Sequence, residues 1–139
     1  MKFLFINGVN LNMTGVREKG VYGTETLDEI NKDISSYFPE DECQFFQSNI
    51  EGEICSKIQA ADSDGIDGII LNAGAYTHYS YAIRDAIASV KVPVVEVHMS
   101  NIHAREDFRN KSVLSEVCRG VVLGFGKSSY ILAAQSFKL

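Results

Sequence analysis

The sequence predicts an α/β fold, a five-stranded parallel sheet with helices on both faces. Short apolar runs alternate with segments of helical periodicity five times along the chain, and such alternation implies right-handed crossovers between parallel strands. The runs are continuous rather than alternating, as in Phe3-Leu-Phe-Ile6, which is the pattern of strands covered on both faces. With 139 residues the chain forms one domain, 1–139, and at that size the flavodoxin-like strand order 2-1-3-4-5 is the natural arrangement.

The first strand, Phe3 to Ile6, runs into a polar stretch from Asn7 to Gly23 with neither helical nor strand periodicity. Loops of that length in a small domain are usually lids or binding loops, so residues 13–23 are expected to form a lid. Thr26-Leu-Asp-Glu29 reads as a capping box, and Leu27, Ile30, Ile34, Tyr37 and Phe38 form a helical stripe that Pro39 ends. Cys43 to Ser48 is the second strand; Asn49 is placed to cap a helix burying Ile54, Ile58 and Ala61. Asp64-Gly65 turns the chain into the third strand, Gly68 to Asn72. Ser80 then starts a helix that buries Ile83, Ala86, Ile87 and Val90. The fourth strand runs from Pro93 to His98, with Pro at its tolerated first position. A polar segment from Met99 to Ser112 leads to the fifth strand, Gly120 to Gly124. The last helix starts near Ser128 or Ser129 and carries Ile131, Leu132 and Ala134.

Composition narrows the function. Hydrophobic residues make up 45% and charged residues 22%, which describes a globular chain rather than a disordered one. The net charge of −5 demotes nucleic acid as a partner, since phosphate neutralisation favours a basic protein. The cysteines Cys43, Cys55 and Cys118 follow no paired-ligand spacing and read as free thiols of a reducing compartment. Asn7 and Gly8 break the leading apolar run too early for a signal peptide, and no segment has membrane-spanning length. A cytoplasmic location with no membrane partner is expected.

In an open parallel sheet, ligands bind beyond the carboxyl ends of the strands. Those ends offer Asn7, Asn10, Asn12, Asn72, His98, Ser100, Asn101, Gly124 and Gly126, and the polar loops add Arg17, Tyr22, His78, Arg105 and Arg109. Amides, imidazoles and guanidiniums suit a small, oxygen-rich anion. Carboxylates are scarce there, which argues against magnesium or calcium, and a zinc site built on His98 and His103 lacks an evident third ligand. Each residue also has an ordinary structural reading. A strand-ending His is often just a satisfied one, though Glu96 on the same strand face could orient His98. Tyr22 could be a packed loop aromatic; Arg17 in the same loop would favour its phenolate. Arg105 and Arg109 could lie on a solvated face, and Asn7 could merely cap a turn.

The motifs Asn7-Gly-Val-Asn-Leu-Asn12, Gly15-Val-Arg-Glu18, Tyr22-Gly23, Leu71-Asn-Ala-Gly-Ala-Tyr-Thr-His-Tyr-Ser80 and Glu96-Val-His-Met-Ser-Asn-Ile-His-Ala-Arg-Glu-Asp-Phe-Arg109 occur in that order. Together they closely resemble type II 3-dehydroquinate dehydratase, a small flavodoxin-like enzyme of the shikimate or quinate pathway, along nearly the whole chain. The resemblance implies a lyase, specifically a hydro-lyase without cofactor or metal, that converts 3-dehydroquinate to 3-dehydroshikimate by anti elimination through an enolate. It assigns Tyr22 as the base, Arg17 as the lid cation that lowers its pKa, and Asn10 as the holder of a water against the enolate oxygen. His98 resembles the acid, with Glu96 its orienting partner. Asn72, Ser100 and the backbone of Met99 resemble the carboxylate and hydroxyl contacts, His78 and Arg109 the ring-hydroxyl contacts, and Arg105 a further lid residue. Asp85 matches a position that reaches a neighbouring subunit's site in a homododecamer of four trimers.

The pattern departs from the family at Val9 and Lys19, where proline is usual, and freeing φ at both predicts a more mobile lid. A flavin module on the same fold wants a Ser/Thr-rich phosphate loop after the first strand, which Thr14-Gly15 alone does not supply. A phosphoacceptor domain wants acidic residues where Asn7 and Asn72 stand. A catalytically inactive relative is the remaining alternative.

Overall fold

The computed structural model describes residues 1–16 and 24–139. Its strands are β1 (Lys2–Asn7), β2 (Glu42–Gln47), β3 (Gly68–Asn72), β4 (Val94–His98) and β5 (Gly120–Leu123), and the helices are α1 (Leu27–Ser36), α2 (Glu51–Ala60), α3 (Tyr81–Ser89) and α4 (Ser128–Ser136). All strand pairs are parallel, in the order β2-β1-β3-β4-β5, a flavodoxin-like α/β sheet. The order reverses between β1 and β3, where Asn7 and Asn72 stand in register at the two carboxyl ends. That is where an open sheet leaves its crevice.

Strand alternation sorts the core into two layers. Leu4, Ile6, Ile69, Leu71 and Val94 pack with Ile54, Ile58 and Ala61 and with Ile83 and Ile87, so α2 and α3 cover one face. Phe3, Phe5, Ile70, Val95 and Val97 pack with Ile30, Ile34 and Phe38 and with Tyr130, Ala133 and Ala134, so α1 and α4 cover the other. Parity then decides where the polar strand ends point: Asn7 and Asn72 fall on the α4 face, Glu96 and His98 on the α3 face.

Most elements follow the sequence reading. The capping box forms, with Thr26 Oγ1 accepting from the Glu29 amide at 3.2 Å, and Ser80 caps α3 through the Ile83 amide. Phe38 is buried, whereas Tyr37 turns to solvent one residue past the helix. One expectation needs correction. Asn49 does not cap α2, because the helix starts one residue later at an Ile50 cap and the Ile50 amide goes to Ser48 Oγ. The inward face of α4 is Tyr130, Ala133 and Ala134; Leu132 points outward, since its position falls nearly half a turn from that stripe. The Met99–Ser112 stretch is folded into short 3₁₀ turns at Ile102–Ala104 and Asp107–Asn110. No helix among the described residues is long and apolar enough to cross a membrane, and the three cysteines are free thiols.

Phe3 is fully buried and meets Phe38 edge-on at 5.5 Å and Phe5 at 6.4 Å. Phe3→Ala should therefore lower the unfolding free energy by about 3–5 kcal/mol, a cavity-forming loss. Urea denaturation checks this; a loss under about 1 kcal/mol would mean that the site collapses around the gap.

Candidate active site

The cleft forms where the loops after β1 and β3 press together. Gly8 donates its amide to the Asn72 carbonyl at 2.7 Å, and a Cβ on Gly8 would overlap the Ala73 backbone. Gly74 has φ +64°, and a Cβ there would sit 2.7 Å from the Val9 carbonyl. Only glycine meets both constraints, which bring Asn10 and Asn72 to one wall. Asn10 is the sole non-glycine among the described residues with positive φ (67°). Its amide is held by Asn49 Oδ1 at 2.9 Å, which also accepts from Gln47 Nε2 at 3.1 Å. Asn tolerates the left-handed region, and a strained backbone kept at a cleft is a pointer to function.

Beneath this wall lies a buried relay. Asn72 Oδ1 accepts the Gly74 amide at 3.1 Å, its Nδ2 donates to Tyr130 Oη at 2.9 Å, and that hydroxyl donates to Asn7 Oδ1 at 2.5 Å. A backbone N–H can only donate, so the amide orientation of Asn72 is fixed from one end and the relay runs in one direction. Asn72, which lines the cleft, thus keeps one amide N–H beyond the one given to Tyr130. Asn7, a strand-end candidate, is consumed by the relay and does not line the cleft.

On the opposite face, Glu96 is fully buried and its Oε2 accepts from His98 Nε2 at 2.5 Å. Thr77 donates to the same oxygen at 3.0 Å; Ser112 and Ser115 donate to Oε1 at 2.9 and 2.7 Å. Burial alone would push the carboxyl up, but the hydrogen bond and charge of His98, with the hydroxyls of Ser115 and Ser112, more than offset it and hold the group below its ordinary 4.5. Glu96 fixes the ring of His98 through Nε2, so Nδ1 is the nitrogen left to serve the cleft.

The remaining candidates assemble as follows. Met99, Ser100, Arg105 and Arg109 line the cleft with His78. The carbonyl of Met99 accepts from Gly126, and that of His98 from Gly124, so the turn after β5 braces the end of β4. Arg105 donates to Ser100 Oγ at 3.4 Å. Arg109 stacks over Phe108 at 4.7 Å and bonds Glu106 at 3.2 Å. His78 donates from Nδ1 to the Lys111 carbonyl at 2.7 Å, leaving Nε2 for a ligand. Asp85 is exposed on α3 and does not line this cleft. Tyr22, Arg17, Lys19 and most of the expected lid lie outside the described residues. Sequence reasoning missed Thr77, Ser112, Ser115 and Tyr130; only the parity of Glu96, a charge at an inward strand position that demands donors, could have signalled the first three.

The depressed carboxyl of Glu96 links the site to stability. A folded-state pKa below the unfolded one gives stability that is present above about pH 4.5 and is lost as pH falls through the folded value. Glu96→Gln should therefore destabilise most at neutral pH, by about 1–3 kcal/mol. The gap to the parent should close in acid, as read by urea melts across a pH series. A gap independent of pH would contradict the ionised, hydroxyl-caged carboxylate.

A family model described as dehydroquinase class II matches residues 1–138. The chain is 57% identical over 138 residues to the 3-dehydroquinate dehydratase of Fusobacterium nucleatum, covering 96% of this chain and 93% of that one. It is 54% identical over 139 residues to the protein of that name from Caldicellulosiruptor bescii, covering 99% and 96%. The crystal structure of type II dehydroquinase from Butyrivibrio crossotus superposes with a TM-score of 0.97 at 48% identity, covering 100% of this chain and 98% of that one. With a family model spanning all but its last residue and relatives above half identity, the chain belongs to the class II dehydroquinase family.

Proposed function

We propose that this protein is a hydro-lyase that removes water from 3-dehydroquinate to give 3-dehydroshikimate, without cofactor, by anti elimination through an enolate. Family membership supports the reaction. The observation that carries the chemistry is His98, locked by the ionised Glu96 with one ring nitrogen left for a cleft walled by Asn10, Asn72, Arg105 and Arg109.

A proton alpha to a ketone is weakly acidic, so the site needs a strong base and a means of stabilising the enolate. Tyr22 takes the base role. A phenol of pKa about 10 is a poor base at neutral pH, and the Arg17 guanidinium in the same loop is assigned to bring it down. Tyr22 removes the C2 proton, and Asn10 holds a water against the developing oxyanion. His98, as imidazolium, delivers its Nδ1 proton to the C1 hydroxyl, which leaves as water. Glu96 stabilises that imidazolium through Nε2 at 2.5 Å. The bond broken at C2 and the bond broken at C1 together account for one molecule of water.

Binding falls to donors. Asn72, Ser100 and the Met99 backbone take the substrate carboxylate and a hydroxyl, His78 and Arg109 the ring hydroxyls, and Arg105 closes over them. The relay through Tyr130 leaves Asn72 as a donor, which suits an anion. Asp85 serves a neighbouring subunit's cleft in a dodecamer, for which its exposed place on α3 is apt.

Mixing the protein with 3-dehydroquinate should yield the conjugated enone, followed in the ultraviolet, and borohydride should not inhibit, since no Schiff base forms. Tyr22→Phe and His98→Ala should each cut kcat by about 10²–10⁴-fold with the fold retained. Near-parental turnover in either variant would remove that residue from its role. Light scattering should give a dodecamer's mass; a monomer that is fully active would dismiss the part given to Asp85.

A further inference from the structure

Ser112 and Ser115 belong to no motif that carries the family likeness, yet both aim at the buried carboxylate behind the cleft's histidine. Glu96 sits at an inward position of β4, where an isolated carboxylate would be costly. Its Oε1 has no imidazole; it has Ser112 at 2.9 Å and Ser115 at 2.7 Å. Thr77 completes the cage at Oε2 and lies 3.1 Å from Ser112. The cage is also a structural tie. Ser112 Oγ accepts the amides of Leu114 and Ser115, the Val113 amide bonds the Thr77 carbonyl at 2.8 Å, and Arg84 holds the Val113 carbonyl at 2.8 Å. The segment so pinned is the one that brings Arg105 and Arg109 over the cleft.

We propose that Ser112 and Ser115 are positioning residues for the reaction: by solvating the buried charge of Glu96 they hold the ring of His98 and dock the arginine-bearing segment. This inference rests on the dehydratase reading for its kinetic part. Two separable effects follow. Ser115 touches Glu96 alone among the catalytic groups, so it acts on proton delivery. Ser112 touches Glu96 and also folds the end of the arginine segment, so it acts on both proton delivery and binding. The other titratable groups beside Glu96 are His98 on its own strand and Cys118 on the β5 approach. The Cys118 thiol is pushed up to about 12 by burial and by the charge of Glu96, so it stays neutral.

The test uses the full chain and the variants Ser115→Ala, Ser112→Ala and Ser115→Thr. Ser115→Ala should lower kcat by about tenfold, the loss of one hydrogen bond to a charge, with KM within about twofold. Ser112→Ala should lower kcat similarly and also raise KM. Ser115→Thr, which keeps the hydroxyl, should restore most of kcat. Independently of turnover, the side-chain carboxyl resonance of ¹³C-labelled Glu96 should titrate at higher pH in both alanine variants than in the parent. An unshifted Glu96 titration would overturn the proposal, as would a kcat loss that Ser115→Thr does not recover. If the parent fails to dehydrate 3-dehydroquinate, the reaction reading falls while the Glu96 titration still decides whether the serines solvate that charge.

Discussion

A carboxylate with no exposed surface is the constraint around which this structure is arranged. Glu96 occupies an inward position on the fourth strand of a sheet whose buried positions are otherwise mostly aliphatic or aromatic, with Asn7, Asn72 and His98 at the strand ends. Leaving it there ionised requires donors on both oxygens, and the donors come from three parts of the chain: Thr77 after β3, His98 on β4, and Ser112 and Ser115 from the approach to β5. A buried charge with one partner missing is strongly destabilising, so each donor is bound to the folded state as firmly as an aliphatic core residue. The same bonds that stabilise the charge place an imidazole at the cleft.

The sheet divides the labour by parity. Glu96 and His98 lie two residues apart on β4 and share the α3 face, where the hydroxyl cage forms. Asn7 and Asn72, in register at the ends of β1 and β3, share the α4 face and are joined by Tyr130. The cleft is therefore lined by an imidazole from one face of the sheet and an amide from the other. Because the relay begins at a backbone N–H, the amide side is fixed as a donor.

Much of this was legible in the sequence, and the boundary of legibility is physical. Strand and helix placement came from periodicity and from local cap chemistry, which Thr26, Glu29 and Ser80 satisfy within three residues of themselves. His98, Asn10 and Asn72 were singled out because parallel sheets put ligands at strand ends, and all three line one cleft; Glu96 was singled out because it shares a strand face with His98. What failed was long-range. Asn49 has the right type for a cap, but its oxygen is claimed by the Asn10 amide, 39 positions away, as well as by Gln47 beside it. Tyr130 bonds Asn7 across 123 positions, a separation no local pattern records. Tyr22 and Arg17 lie outside the described residues, so their roles stand on the sequence likeness alone.

An acidic protein that binds an anion needs its charges sorted rather than its total changed. The chain carries a net −5, yet the carboxylate nearest the cleft is turned inward and saturated by His98 and three hydroxyls, while Glu106 is tied to Arg109 on the rim. Within roughly a Debye length of about 8 Å at physiological salt, a ligand entering the cleft meets the guanidiniums of Arg105 and Arg109 and the N–H groups of Asn10 and Asn72 before it meets a free carboxylate of the described wall. Burying Glu96 under donors therefore does two things at once: it sets a fixed counter-charge against the imidazole, and it keeps that charge off the wall of the cleft.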